Sequence, residues 1–346
     1  MKPNAHIKFG VAGRFSFEVT KADAEGNPIP GTTRKLAAFG NLITDGGMDA
    51  IGSTSMSSAD NNWNFVAVGS GTNAPANTDT ALQTEVARTA ALFNPGNPVG
   101  NSYNYTRQVA TSPRYWSIWK KWRFATGAAA GNLNEVAVLR GSGSPQYAFC
   151  RARIVDAGGS PVTLTILSDE ILDVTYEFFL FIPEADVTGT ITLKSVNYDF
   201  TMRPCSIGRA SDGYYSAWPV SNLGTMQNRG PRAIGELPAN TSGSMCAVAT
   251  GASLVAMDQH PIVSQNPSSR AADSIAYGSY TSGQFYRDTT FTWSLTTGNN
   301  AALNMLTLNC GLGTFQIYFD GDTFSKDATE RMQFTLRTSW ARATPP

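Results

Sequence analysis

Period-two alternation, a composition rich in turn formers and a pattern that starts again after Pro183 predict the fold class. The class is all-β and mostly antiparallel, arranged as two tandem, duplicated β-sandwich-like domains spanning residues 1–186 and 187–346. The 32 Gly and 18 Pro, with abundant Thr, Ser and Asn, favour strands and turns over helices.

The elements follow in order. Ile7, Phe9 and Val11 alternate with Lys8 and Gly10, and Phe15, Phe17 and Val19 continue the alternation after Gly13. Glu25-Gly26-Asn27-Pro28 is turn chemistry between this run and the apolar residues 36–43. Residues 65–68 form a short apolar strand closed by Gly69-Ser70-Gly71. Residues 116–124, 134–139, 146–155, 163–167 and 172–181 read as further strands, with Val174, Tyr176, Phe178 and Leu180 on one face of the last. Helix is confined to two candidates, residues 46–52 and residues 79–91.

Past Pro183 an ordered series of echoes appears. Asn41-Leu42 returns as Asn222-Leu223, Ala50-Ile51-Gly52 as Ala233-Ile234-Gly235, and Ala67-Val68 as Ala247-Val248. Trp122 with Thr126-Gly127 returns as Trp293 with Thr297-Gly298. Leu133-Asn134, Gly141, Gly143, Gln146 and Phe149 return as Leu303-Asn304, Gly311, Gly313, Gln316 and Phe319. Asp169, Val174, Tyr176 and Phe178 return as Asp327, Met332, Phe334 and Leu336. The order never breaks, so a tandem duplication is expected, with its seam near residues 184–189.

Charge narrows the function classes. Lys+Arg and Asp+Glu both number 26, so no basic excess exists to grip nucleic acid. Only 15% of residues are charged, against about 25% in an ordinary soluble domain, which leaves little repulsion between neighbouring copies. Cys150, Cys205, Cys246 and Cys310 contain no Cys-x-x-Cys pair; scattered through apolar strands, they read as free thiols kept in a reducing cytosol. Neither a signal-peptide core nor a run of about 18 apolar residues is visible, so membrane insertion is not expected.

Candidate chemistry is sparse. His6 and His260 are the only histidines, and Gly-x-Ser-x-Gly is absent. Gly69-Ser70-Gly71-Thr72-Asn73-Ala74 imitates a dinucleotide fingerprint, but Pro75 stands where its helix should begin. Those glycines read instead as a turn needing positive φ. Asp320-Gly321-Asp322 resembles the start of a calcium loop, yet Phe324 and Arg331 occupy the fifth and twelfth positions. Asp169-Glu170, near Asp173, could serve a glycosidase but reads better as a solvated turn. In residues 115–124, Trp116, Ile118, Lys120, Trp122 and Phe124 share a core face; Trp119, Lys121 and Arg123 share the other, an interface candidate. Tyr214, Tyr215 and Trp218 sit in a Gly/Ser/Pro-rich loop and are the candidate contacts for a protein or sugar partner. No catalytic residue, metal site or cofactor is assigned.

Three further groups of residues belong together. The first is the run from Asn41-Leu42-Ile43-Thr44-Asp45 through residues 65–75 to Thr78-Asp79-Thr80-Ala81-Leu82. The second is Asn132-Leu133-Asn134-Glu135-Val136-Ala137 and Phe149-Cys150-Arg151-Ala152-Arg153-Ile154. The third is Ile166-Leu167-Ser168-Asp169-Glu170 and Leu172-Asp173-Val174-Thr175-Tyr176. Over residues 36–183 this order resembles tailed-bacteriophage virion proteins described as tail, tail-fibre or baseplate components. The second half keeps little of the Thr-Asp-Thr segment. The resemblance implies a non-enzymatic structural protein of the virion tail, a fibre, collar or baseplate subunit made in the host bacterial cytoplasm. Its implied partners are other tail proteins and further copies of itself, as a trimer whose paired halves match a six-fold ring. A receptor- or carbohydrate-binding module for host attachment is the alternative, and a polysaccharide-degrading fibre a third reading.

Overall fold

The computed structural model describes residues 4–53, 62–93, 103–141, 147–207, 246–259, 270–309 and 313–346. Strands hold 55% of the chain and helix 3%, so the all-β expectation stands.

The first half contains β1 (Ala5–Lys21), β2 (Arg34–Gly40), β3 (Leu42–Ile43), α1 (Asp45–Ser53), β4 (Phe65–Gly69), β5 (Glu85–Thr89) and β6 (Tyr103–Gln108). It continues with β7 (Tyr115–Phe124), β8 (Gly131–Leu133), β9 (Glu135–Arg140), β10 (Tyr147–Arg153), β11 (Leu164–Ile166) and β12 (Glu170–Phe181). The second half contains β13 (Val187–Leu193), β14 (Val196–Cys205), β15 (Cys246–Ala249), β16 (Arg270–Ala271), β17 (Ser274–Tyr277) and β18 (Tyr286–Trp293). It ends with β19 (Asn300–Leu303), β20 (Met305–Asn309), β21 (Thr314–Phe319), β22 (Phe324–Lys326) and β23 (Met332–Arg342).

Only the first of the two helix candidates is helical. Thr44, fully buried, caps α1: its hydroxyl accepts the Gly47 N–H at 3.0 Å and donates to the Ala148 carbonyl at 2.6 Å. Residues 79–91 instead supply the exposed strand β5, where Glu85 and Arg88 pair at 2.5 Å.

An eight-stranded sheet in the order β17-β18-β23-β1-β12-β7-β6, with β2 also on β1, spans both halves. A five-stranded sheet, β3-β10-β9-β4-β5, and a six-stranded sheet, β13-β14-β21-β20-β15-β16, pack on its inner face. The odd residues of β1 face inward and touch both. Phe9 meets Phe315 of the six-stranded sheet at 6.0 Å, and Phe15 meets Tyr176 at 4.9 Å, next to Trp63 and Phe149. One continuous apolar core results.

Pairing in the second half retraces the first strand by strand. Each of β4 to β12 has a counterpart in β15 to β23 with the same neighbours: β4–β9 corresponds to β15–β20, β8–β11 to β19–β22, and β7–β12 to β18–β23. Registers agree as well. Val68 lies opposite Val136 as Val248 lies opposite Leu306, and Trp122 opposite Val174 as Trp293 opposite Met332. The backbone sharpens one sequence match. β9–β10 and β20–β21 place Arg151, not Gln146, at the position of Gln316, and Ile154 at that of Phe319, because the loop before β10 is longer.

Strand β1 is the pivot. It runs antiparallel to β12 from Gly10 to Lys21 and parallel to β23 from Ala5 to Val11. The equivalent strands β12 and β23 therefore point in opposite directions on its two sides, as a two-fold axis normal to the sheet requires. Residues 184–189, where the seam is expected, cover the end of the β12–β13 link and the first three residues of β13, while β17, β18 and β23 lie in one sheet with β1.

Candidate functional site

The most elaborated polar structure lies on the outer face of the five-stranded sheet. Glu135 opens the apolar strand β9 and is fully buried. Its Oε1 accepts the N–H groups of Gly71 at 3.0 Å and Thr84 at 2.8 Å, and its Oε2 accepts that of Gln83 at 3.1 Å. From the next strand, buried Arg151 donates Nε to Glu135 at 2.8 Å and a guanidinium N–H to Asp79 at 2.7 Å. Two more guanidinium protons reach the carbonyls of Asn73 and Ala74. Burial works against the Arg151 charge, but the two carboxylates outweigh it and hold its pKa above the ordinary value. Asp79 Oδ2 also caps Ala76 N–H at 2.8 Å, and Gln83 Oε1 gathers the N–H groups of Thr72 and Asn73. Apart from the two ion pairs, these bonds all end on the backbone of residues 71–84, which presents Thr72, Asn73, Asn77 and Thr78 to solvent.

The glycines of this loop serve a different purpose from the expected positive φ. Neither Gly69 nor Gly71 has one. A Cβ on Gly71 would stand 2.4 Å from Glu135 Oε1, and one on Gly69 2.4 Å from the Thr84 carbonyl. Close approach to the buried carboxylate and its loop is what excludes a side chain.

A second polar cluster latches the halves together. Asp49 of α1 accepts Tyr280 Oη at 2.5 Å, Gly283 N–H at 2.8 Å and the Ser282 hydroxyl. Burial tends to raise its pKa, but these donors and the more distant Arg140 hold it below the ordinary value. Trp340 stacks on Tyr280 at 5.7 Å and donates Nε1–H to the Met48 carbonyl at 2.9 Å. Arg342 reaches the Ile43 carbonyl at 2.6 Å and Asp45 at 2.5 Å. Between the halves lies an open cleft of about 800 Å³ whose charged walls are the pairs Arg114–Glu184 at 2.6 Å and Arg203–Asp186 at 2.5 Å.

Asp169 is exposed in a turn as the sequence suggests, but the two carboxylates that follow it are not. Glu170 and Asp173 are buried. Arg34 grips Glu170 and holds its pKa down, and Arg123 grips Asp173 with two bonds of 2.7 Å. Their oxygens point at strand-borne arginines, not across a cleft. In β7 the division of faces is as expected. Trp116, Ile118, Lys120, Trp122 and Phe124 are buried, and Trp119, Lys121 and Arg123 are half-buried on the other side, where Lys121 meets Glu18 at 2.5 Å. Asp320 and Asp322 flank Gly321, a positive-φ residue in the β21–β22 turn, and Asp320 accepts Thr201 Oγ1 at 3.1 Å. His6 Nε2 lies 2.7 Å from Ser339 Oγ across the β1–β23 pair; burial and Arg337 lower its pKa, and nearby Asp288 is engaged by Arg337 at 2.7 Å. Cys150 and Cys205 are buried, and burial pushes the Cys150 thiol up to about 12, which suppresses thiolate chemistry. His260, Cys310 and the candidate contacts Tyr214, Tyr215 and Trp218 lie outside the described residues.

Among the described residues, no group of three or more His, Cys, Asp or Glu side chains is placed to hold a metal ion, and no helix is long and apolar enough to cross a membrane. Sequence reading missed both the Glu135–Arg151–Asp79 network and the Asp49 latch. The first had a signal. A lone acid before Val136-Ala137-Val138-Leu139 and a lone arginine between Cys150 and Ala152 are charges inside apolar strands, which burial tolerates only in pairs. The latch joins residues more than 230 positions apart and had none. Comparisons with protein-family models, with curated proteins and with solved structures returned no match.

Proposed function

We propose that this chain is a non-enzymatic structural subunit of a tailed-phage tail, a fibre, collar or baseplate component that assembles with other tail proteins. The resemblance of residues 36–183 to virion tail proteins suggests it. The observation that carries it is how buried charge is used: Glu135, Arg151 and Asp79 converge on backbone amides and carbonyls and fix a surface loop. A scaffold that presents rigid loops to neighbours uses its polar groups in this way. Tandem duplication belongs to the same reading, supported by the matched pairing of β4–β12 and β15–β23.

The test is location. Gold-labelled antibody against the chain, applied to purified particles, is expected to decorate the tail in negative stain. Particles that lack the chain by mass spectrometry would overturn the reading.

A further inference from the structure

Strand β13 ends the six-stranded sheet, and its outer edge carries none of the usual guards. Val187-Thr188-Gly189-Thr190-Ile191-Thr192-Leu193 contains no charge and no proline, and its register with β14 is unbroken, so no bulge twists it away. The hairpin fixes which backbone groups face outward. Lys194 and Ser195 both have positive φ, 51° and 63°, the mark of a type I′ turn. That turn makes Leu193↔Val196 a hydrogen-bonded pair, so the odd residues of β13 bond β14. The N–H and C=O groups of Thr188, Thr190 and Thr192 then point away from the sheet. No hydrogen bond reaches them among the described residues. Ile191 anchors the strand in the core, while the three threonine side chains stay exposed.

We propose that this edge is a self-association surface, on which β13 pairs antiparallel with β13 of a second copy about a two-fold axis at Thr190. Of the registers that set outward-facing residues opposite one another, this one overlaps all seven residues. Thr188 then faces Thr192 of the other copy and Thr190 faces its own counterpart. The charges flanking the strand fit the same register: Asp186 at one end comes opposite Lys194 at the other, twice over. Each brings its own partner, Arg203 for Asp186 and Glu330 for Lys194, so charges of alternating sign meet at both rims. With 26 charges of each sign in the chain, no net repulsion opposes the approach. The two six-stranded sheets become one continuous sheet across the dimer. This inference rests on the strand alone and not on the virion reading.

The experiment uses the full chain in sedimentation-velocity and light-scattering measurements at up to 100 μM, a range set as roughly that in which weak edge pairing registers. The wild type is expected at twice 37.0 kDa. Thr190→Pro removes an outward N–H and no backbone bond to β14, only the side-chain bond from Thr190 Oγ1 to Asp199, so it is expected to give a folded monomer. Thr190→Lys, which keeps the whole ladder, is measured alongside and answers the question if the proline variant does not fold. Register is read by oxidation. Thr190→Cys is expected to cross-link to itself, and Thr188→Cys only when Thr192→Cys is also present. A monomeric wild type, or an oligomer unmoved by Thr190→Lys, overturns the proposal.

Discussion

The loop after β4 and its counterpart after β15 hang from the same framework but by different means. Asn134 and Asn304 are equivalent and do the same work. The Asn134 N–H binds the Gly69 carbonyl and its side-chain amide the Ser70 carbonyl; the Asn304 N–H binds the Ala249 carbonyl and its amide the Ala252 carbonyl. One residue further on, the halves diverge. Buried Glu135 stands where the second half has buried Met305, and Arg151 where it has Gln316. Gln316 holds its loop with two neutral bonds to Val255, at 2.9 and 2.7 Å. At the core face Lys120 stands where the second half has Phe291. At these positions the first half buries charge and the second does not; Ile166 and Lys326 reverse the trade. An ion pair organises its loop through more bonds, but losing either partner strands the other in the core.

That contrast predicts unequal fragility. Glu135→Met alone leaves Arg151 buried against Asp79 only and removes the acceptor of three N–H groups; a loss of about 3–5 kcal/mol is expected in urea unfolding. Adding Arg151→Gln, which transplants the second half's pair, is expected to recover much of that loss. A double variant no more stable than the sum of its single effects would break the equivalence of the two positions.

Gly71 and Gly251 are equivalent yet need glycine for different reasons. Gly71→Ala collides with Glu135 and Gln83 and is expected to cost about 1–3 kcal/mol, relieved in part in the Glu135→Met/Arg151→Gln background. Gly251 has a φ of 63° and open space around it, so Gly251→Ala is expected to cost about 1–2 kcal/mol in any background. Gln316→Ala, which frees one neutral N–H and one carbonyl, belongs at about 1–2 kcal/mol, well below Glu135→Met in the same assay.

The gentlest test uses pH. Burial lowers the Lys120 pKa from 10.5 to about 8, while its ammonium donates to the Trp63 carbonyl at 2.8 Å. Between those values the unfolded chain holds a proton that the folded chain releases. Stability from this group therefore rises as pH increases from about 8 to 10.5, by at most about 1.4 kcal/mol per unit. Thermal unfolding of the wild type should gain on that of Lys120→Met across this window. Parallel curves would place Lys120 in a wetter setting than its burial implies.

The sequence reading was strongest where period two governs. The inward residues of β1, β7 and β12 are those the alternation picks out. It was weakest where one charge is answered by another from a distant strand. Glu170 and Asp173 look like a solvated acidic turn until Arg34 and Arg123 arrive from β2 and β7. Pairing between β1 and β23 was likewise invisible, since local pattern sets a strand's faces but not its neighbours. The match of Gln146 to Gln316 failed because a fixed offset cannot see a loop that lengthens between two aligned strands.

Strand β1 also sets a clock. Asn4 bonds Thr335, and Ala5 pairs with Leu336, so one edge of the first strand waits for the last. At a ribosome making about 5–20 residues per second, that wait is roughly 17–66 seconds. Throughout it the backbone edge of residues 5–11 that β23 will cover is an open template, offered to any nascent chain nearby. The central strand of the finished sheet is thus the most exposed edge of the unfinished one. Synthesis slowed before β23 should lower the soluble yield more than synthesis slowed after it.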